Sequence, residues 1–378
     1  MLTSSYQKGK SDRKRKEVIN AGIEDEGLIK VKPLATLHPW SVVTKQSILS
    51  NHEIVDYSQR SFENPVLVYV TPWNNKGYDL AKWVSHKITH VSPVWLQFKP
   101  QTADMSLSCL ILGSHDIDRE WVEEIRKNNS NLKIVPRILF DDWSPEHLSQ
   151  FLQNETWMNR CLLDLLNLLT RNRFDGAVVE LWSNVMIHTR GEAVNLLIEM
   201  MNSWAATFHK RNKEFIVPVG PPLSSNNDLT GMFTPSHFNA LSRHVDYIQI
   251  MTYDFPALGV SAVAPYDWVE QSIMALVDPR TDLASHLMLG LNHYGYEHIN
   301  NKVQAVDFKY YLKRLKQEDT KLEWDNRAKE HFLKTSDSII YYPSLTSIEL
   351  RLNLARKYGI GVGIWDFGQG LNYFSQLL

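Results

Sequence analysis

Two cysteines, Cys109 and Cys161, are all that 378 residues contain, which excludes a disulfide framework or a cysteine-rich metal site as the organising device. The pair either bridge or sit buried as thiols, and nothing in the sequence chooses between the two. No apolar run is long enough to cross a bilayer, so no membrane-spanning helix is expected. Net charge is only −2, which removes any whole-molecule drive toward nucleic acid or an anionic membrane. A secretory leader is also missing, because Met1-Leu2-Thr3-Ser4-Ser5 runs straight into polar residues. The expectation is a cytosolic chain, or one already trimmed of its signal. No glycine-rich phosphate turn follows the first strong strand, which argues against a doubly wound nucleotide-binding sheet. Neither a cofactor nor a metal is expected.

What is present is a composition ordinary for a globular protein, 43% hydrophobic and 22% charged, with an excess of tryptophan at 12 residues. A single Trp is more often core than ligand platform, so the excess alone says little. Two triplets, Asn128-Asn129-Ser130 and Asn154-Glu155-Thr156, are glycosylation acceptors and fit a secretory protein. The run Lys8-Gly9-Lys10-Ser11-Asp12-Arg13-Lys14-Arg15-Lys16 has no interleaved aromatics and reads as a solvated tail rather than a polyanion site. Residues 1–62 are therefore taken as a tail and lead-in, and 63–378 as the folded body.

Along that body, eight apolar runs alternate with helical patterns. The strands are placed at 66–70, 88–96, 132–140, 174–182, 215–219, 245–254, 286–291 and 362–365, with Pro93 marking a bend in the second. A further strand at 106–112 lies outside the repeat. Helices are expected near 79–86, 117–127, 157–172, 191–211, 235–243, 267–276 and 345–357, and another starts at Ser144-Pro145. The stretch 292–343 is too long for a plain connection and reads as a small α+β insertion. Eight strand-and-helix units predict an α/β fold, a (β/α)8 TIM barrel with that insertion after its seventh strand. Such barrels build their sites at the strand C-terminal ends, which here carry Trp73, Trp95, Trp143, Trp182, Tyr253, Asp254, Tyr294 and Trp365.

The stretch Phe174-Asp175-Gly176-Ala177-Val178-Val179-Glu180-Leu181-Trp182 is the informative one. Alternation puts Val178, Glu180 and Trp182 on one face of a buried strand. A carboxylate there is costly unless partnered, so Glu180 is expected to pair with Tyr253, Asp254 or Arg137, or to line a cavity.

The strand ends taken together resemble glycoside hydrolase family eighteen, the chitinases and chitinase-like lectins. Met251-Thr252-Tyr253-Asp254 is similar to that family's sixth-strand motif, and Gly361-Val362-Gly363-Ile364-Trp365 to its eighth, whose Trp floors the sugar site. Tyr69-Val70-Thr71-Pro72-Trp73-Asn74, Ile88-Thr89-His90-Val91-Ser92-Pro93-Val94-Trp95-Leu96 and Gly363-Ile364-Trp365-Asp366-Phe367-Gly368-Gln369-Gly370 resemble one chitinase-like branch. The likeness runs from about residue 62 to the end.

One departure decides the functional expectation. Active members of that family read Asp-Gly-x-Asp-x-Asp-x-Glu on the fourth strand, the last Glu being the general acid. Anchored on Asp175-Gly176, this chain has Val178, Glu180 and Trp182 at the three acidic places. An indole has no proton to give near neutral pH. Glu180 stands about 6–7 Å short of the acid's place, two residues of strand rise. What the resemblance implies is thus an inactive lectin, not an enzyme. It would bind chito-oligosaccharides or related N-acetylhexosamine glycans through Trp73, Trp95, Trp143, Glu180, Trp182, Tyr253, Asp254, Tyr294 and Trp365. The branch further implies a secreted or lysosomal protein of innate-immune sensing or sorting, with a stabilin-like scavenger receptor as partner. The alternatives are a hydrolase of altered mechanism using Glu180 and Asp254, and a protein-interaction scaffold with a plugged cleft.

Overall fold

The computed structural model describes residues 43–102, 107–278, 282–300 and 302–378. The basic run 8–16 and most of the expected tail lie outside them. The first described element is a short helix, Lys45–Asn51 (α1), started by a capping box at Thr44. Behind it, the buried Lys87 ammonium donates to Asp56 at 2.5 Å and to the Ser375 carbonyl at 3.0 Å, which ties the lead-in to the chain's last turn.

The main sheet opens with Val66–Val70 (β1), buried at every residue, and helix Lys76–Trp83 (α2). The expected second strand is split into His90–Pro93 (β2) and Leu96–Gln101 (β3), because Pro93 has no amide to continue the ladder. Ser108–Leu112 (β4) returns antiparallel on β3, and Arg119–Asn128 (α3) follows. The third expected strand is likewise split at Pro136, into Lys133–Ile134 (β5) and Arg137–Phe140 (β6). Pro145–Gln153 (α4) is capped by Ser144 with proline at its first position, and Glu155–Arg171 (α5) by Asn154. Then come Gly176–Glu180 (β7), Trp182–His188 (α6), Val194–His209 (α7), Glu214–Val219 (β8), Pro235–Leu241 (α8), Tyr247–Ile250 (β9), Tyr266–Leu276 (α9) and Leu287–Asn292 (β10).

Residues 295–341 build a separate antiparallel sheet. Its strands are Gly295–Ile299 (β11), Lys302–Val306 (β12), Lys321–Asp325 (β13), Glu330–Lys334 (β14) and Ser338–Tyr341 (β15), with helix Phe308–Leu315 (α10) between β12 and β13. Their order is β12-β11-β15-β14-β13. Leu345–Tyr358 (α11) and Gly361–Trp365 (β16) then rejoin the main sheet, the helix stopping at Gly359, whose φ of 67° is the left-handed cap that glycine adopts without strain. A buried ion pair of 3.0 Å joins Arg351 on α11 to Glu330 on β14, and Glu330 also accepts the Ala264 amide at 2.9 Å. That carboxylate therefore clamps the small sheet to the body.

The main sheet has eleven strands in the order β4-β3-β6-β7-β8-β9-β10-β16-β1-β2-β5. All pairings except β3 with β4 are parallel. The sheet curls into a half-barrel with helices outside, a TIM-like α/β architecture. Curling separates the core in two. Leu67, Tyr69, Val94, Val135, Val178, Ile216 and Met288 meet on the concave side, and a far larger apolar layer fills the space between sheet and helices. The bond Cys109–Cys161 pins the edge strand β4 to α5 across that outer layer, which resolves the alternative the sequence left open.

Candidate functional site

The concave face is largely apolar, with polar residues set into it by several strands. Tyr69 in β1, Arg137 in β6, Glu180 in β7 and Gln249 in β9 form one group, and Trp365 closes it from the end of β16. Arg137 Nε donates to Glu180 Oε2, with 10% and 29% of the two side chains exposed. The guanidinium also lies 5.5 Å from the centre of the Trp365 ring, a cation–π arrangement. Trp365 meets Tyr69 edge-on at 5.2 Å, and the Tyr69 hydroxyl donates to Gln249 Oε1. Gly363 makes room for Gln249, since a Cβ there would stand 2.6 Å from the amide carbon. Burial, with the nearby Glu180 charge second, holds the Tyr69 hydroxyl above its ordinary pKa as a neutral donor.

The second half of the site comes from the turn after β9. Thr252 Oγ1 donates to the Gly290 carbonyl at 2.9 Å and fixes the turn against β10. Asp254 then takes φ 58°, a left-handed conformation that Asp tolerates better than most residues. That twist presents its carboxylate to two tyrosines. Tyr294 donates to Asp254 Oδ1, and Tyr296 donates to the same oxygen at 2.5 Å. Tyr253 packs edge-on against Tyr294 at 6.2 Å. Burial, followed by neighbouring Tyr69 and Asp254, keeps the Tyr253 hydroxyl well above its usual value. Below Trp365, Asp366 accepts from Thr71 Oγ1 at 2.8 Å and from the Gly368 amide at 2.8 Å. Burial outweighs these donors and lifts its pKa to about 6.

The structure brings Glu180, Tyr253, Asp254, Tyr294 and Trp365 to this concave mouth and turns Trp95, Trp143 and Trp182 away from it. Trp182 is the main correction. The strand ends at Glu180, Leu181 leaves the extended region at ψ −30°, and Trp182 is the first residue of α6. Alternation stops there, so Trp182 does not share a face with Val178 and Glu180. It is 1% exposed, packs on Phe233 at 5.2 Å and donates its indole N–H to the Met232 carbonyl at 2.8 Å. Trp95 and Trp143 also lie in the outer layer. Trp95 donates to the Tyr78 hydroxyl at 2.7 Å, and Trp143 stacks on Trp157 at 5.5 Å. Trp73 stands on the loop after β1 and is 56% exposed. Tyr69, Gln249, Tyr296 and Asp366 were not singled out from the sequence. Polar residues inside otherwise apolar strands, as in Val66-Leu67-Val68-Tyr69-Val70 and Tyr247-Ile248-Gln249-Ile250, were the available signal. Among the described residues no cluster of His, Cys, Asp and Glu is arranged to hold a metal.

Residues 65–370 match the model of glycosyl hydrolases family 18. This chain belongs to that family. Among solved structures, a chitinase from Chromobacterium violaceum ATCC 12472 superposes with a TM-score of 0.69 at 18% identity, over 83% of this chain and 98% of the other. The spore cortex-lytic enzyme SleL of Bacillus megaterium QM B1551 gives 0.65 at 16% identity, over 85% and 74%. A mutant class V chitinase from Nicotiana tobaccum in complex with NAG4 gives 0.64 at 15% identity, over 83% and 99%. At such identities the likeness speaks for the family 18 fold alone, and the site has to be judged on its own residues.

Proposed function

We propose that this family 18 chain is a chitinase-like lectin without hydrolytic activity, binding chito-oligosaccharides or related N-acetylhexosamine glycans in the concave mouth. The observation that carries this is the pairing of Glu180 with Arg137, together with the loss of any carboxylate at the family's acid position, where Trp182 is buried in the outer layer. A general acid must reach the atom it protonates. Glu180 is committed to a guanidinium one pleat down the strand, and Asp254 is committed to Tyr294 and Tyr296. What remains is suited to holding a sugar, namely the half-buried Trp365 face, tyrosine hydroxyls kept neutral, and an ion pair able to accept and donate at its rim.

The eight-stave closed barrel belongs to the same proposal. Chain continuity through 94–95 and 135–136 supports it, with Val94 N–H on the Val70 carbonyl and Val135 N–H on the Val91 carbonyl, each at 2.9 Å. These joins link the two ends of the curled sheet. The branch of chitinase domain-containing protein 1, the stabilin-interacting chitinase-like protein, is the assignment its motifs favour, with secretory or lysosomal residence and a role in innate-immune sensing or sorting through a scavenger-type receptor. The disulfide between Cys109 and Cys161, a feature of oxidising compartments, and the exposed Asn128 of the first sequon support that residence.

The test is calorimetric titration with a chito-oligosaccharide of several sugars, on wild type and Trp365→Ala. Saturable binding weakened about tenfold or more in the variant, roughly 1.4 kcal/mol or more, is expected. A wild type that takes no sugar removes the lectin reading. Hydrolysis that disappears in Glu180→Gln instead establishes the altered-mechanism enzyme.

A further inference from the structure

A second groove, of about 950 Å3, shares no lining residue with the concave mouth. It runs between α2 and α10, with His52 and Glu53 after α1 at one side and Asn372 at another. Four lysines line it, Lys76, Lys309, Lys313 and Lys316, against two carboxylates, Glu53 and Asp79. Asp79 already lies 3.6 Å from Lys82. This is a local excess of positive charge on a chain whose net charge is −2.

The lysines are ordered by the helix. Lys309, Lys313 and Lys316 follow at spacings of four and three, which puts them on one side of α10 and its cap. They form a row of ammonium groups about 10 Å long at 1.5 Å rise per residue. All three are exposed, and none pairs with a carboxylate among the described residues. Lys76 faces them from α2, fixed by donation to the Gly370 carbonyl at 2.6 Å and by its seat 3.5 Å from the centre of the Phe308 ring. Burial, with Lys309 second, lowers the Lys76 pKa to about 8, and the His52 pKa is lowered chiefly by burial, with Lys316 and Lys76 adding to it against the pull of Glu53. The cationic groups thus feel one another across the groove.

Beside the charges lies one open aromatic surface. Trp83 at the end of α2 is 44% exposed, whereas Leu312 is buried and the Phe308 ring already carries Lys76 at 3.5 Å and Lys309 at 5.8 Å from its centre. A single small anion would use one or two of the lysines and none of this surface. Point-charge ammonium groups in a row, beside an open indole, fit sugar rings that stack by their faces and carry anionic substituents at their edges. We propose that this groove is a second glycan site, binding an acidic oligosaccharide that bears sulfate or carboxylate groups.

The experiment is titration of the full chain with a heparin-derived hexasaccharide, with a neutral chito-oligosaccharide and a poly-glutamate peptide as comparators. Wild type is expected to bind the hexasaccharide, more weakly as salt rises, because exposed charges are screened. The variant Lys309→Glu, Lys313→Glu, Lys316→Glu is expected to lose at least tenfold in affinity, and Trp83→Ala to lose a smaller factor. Because the three lysines are exposed, the melting curve should stay in place; the single Lys313→Glu serves if the triple variant does not fold, with a loss of a few-fold. No binding by wild type, or equal binding by the charge-reversed variants, overturns the proposal. Poly-glutamate binding as tightly as the hexasaccharide, with Trp83→Ala indistinguishable from wild type, overturns the glycan assignment in favour of an acidic peptide.

Discussion

Two aromatic regions, the outer layer and the concave mouth, put their rings to opposite uses. In the outer layer, Trp95, Trp121, Trp143, Trp157 and Trp182 are buried and each indole N–H is spent on a hydroxyl or a backbone carbonyl, at 2.7–3.0 Å. In the mouth, Tyr69, Tyr253, Tyr294 and Trp365 surround charged groups, the Tyr69 hydroxyl serving Gln249 and the Tyr294 hydroxyl serving Asp254. An aromatic at a strand end is therefore not by itself a ligand platform. For Trp182 and Trp365 the side taken follows from whether the chain is still extended at that residue. Trp365 is the last residue of a strand and stays inside; Trp182 is the first of a helix and goes outside.

That contrast can be broken most forcefully in the outer layer. Trp143→Ala should destabilise the protein by about 3–5 kcal/mol through the cavity it leaves. Denaturant unfolding measures this, and a loss below about 1 kcal/mol would mean that the stack with Trp157 does not support the fold. Removing the Cys109–Cys161 bond with a double alanine variant should cost about 2–4 kcal/mol, read as a lower midpoint that reductant reproduces in the wild type. Mouth variants should cost less stability and more binding.

Asp366 gives the contrast a pH signature. Its folded pKa, about 6, stands above the ordinary value of 3.8, so the folded protein holds the extra proton between them. Stability then falls as pH rises through that window. Relative to Asp366→Asn, the wild type should lose up to about 3 kcal/mol between pH 4 and pH 7. Unfolding of both proteins across that range is the check, and a constant gap would contradict the raised pKa. The smallest effect is expected from Arg137→Met, about 2 kcal/mol, because Glu180 keeps 29% of its side chain in solvent when its partner is removed. The same variant should weaken chito-oligosaccharide binding, whereas Trp143→Ala, where folded, should leave it unchanged.

Much of the architecture was legible in the sequence because buried parallel strands are apolar throughout and their helices carry a distinct period. The prolines at 93 and 136 lie where the second and third strands break, and the Ser144-Pro145 start holds with its cap. Helix α6 was not legible. Its seven residues, Trp182–His188, are too few to show a period, so the strand pattern was carried on to Trp182. The site was legible in half. Glu180 was expected to have a partner, and Arg137 is the one it takes. Tyr69 and Gln249 carry no signal of partnership in the sequence, because only the curl of the sheet brings them together.

By itself the sequence determined the alternating strands and helices, the absence of an acidic residue at position 182, and a set of aromatics and carboxylates near the strand ends. Those are properties of residue type and spacing, which local propensity and burial can read. Tertiary structure alone decided that Cys109 meets Cys161, that Glu180 is neutralised by Arg137, and which aromatics face the mouth. Each of those depends on the direction a side chain takes from a strand that curls, and on partners dozens of residues distant. A period of two or of 3.6 carries no record of either.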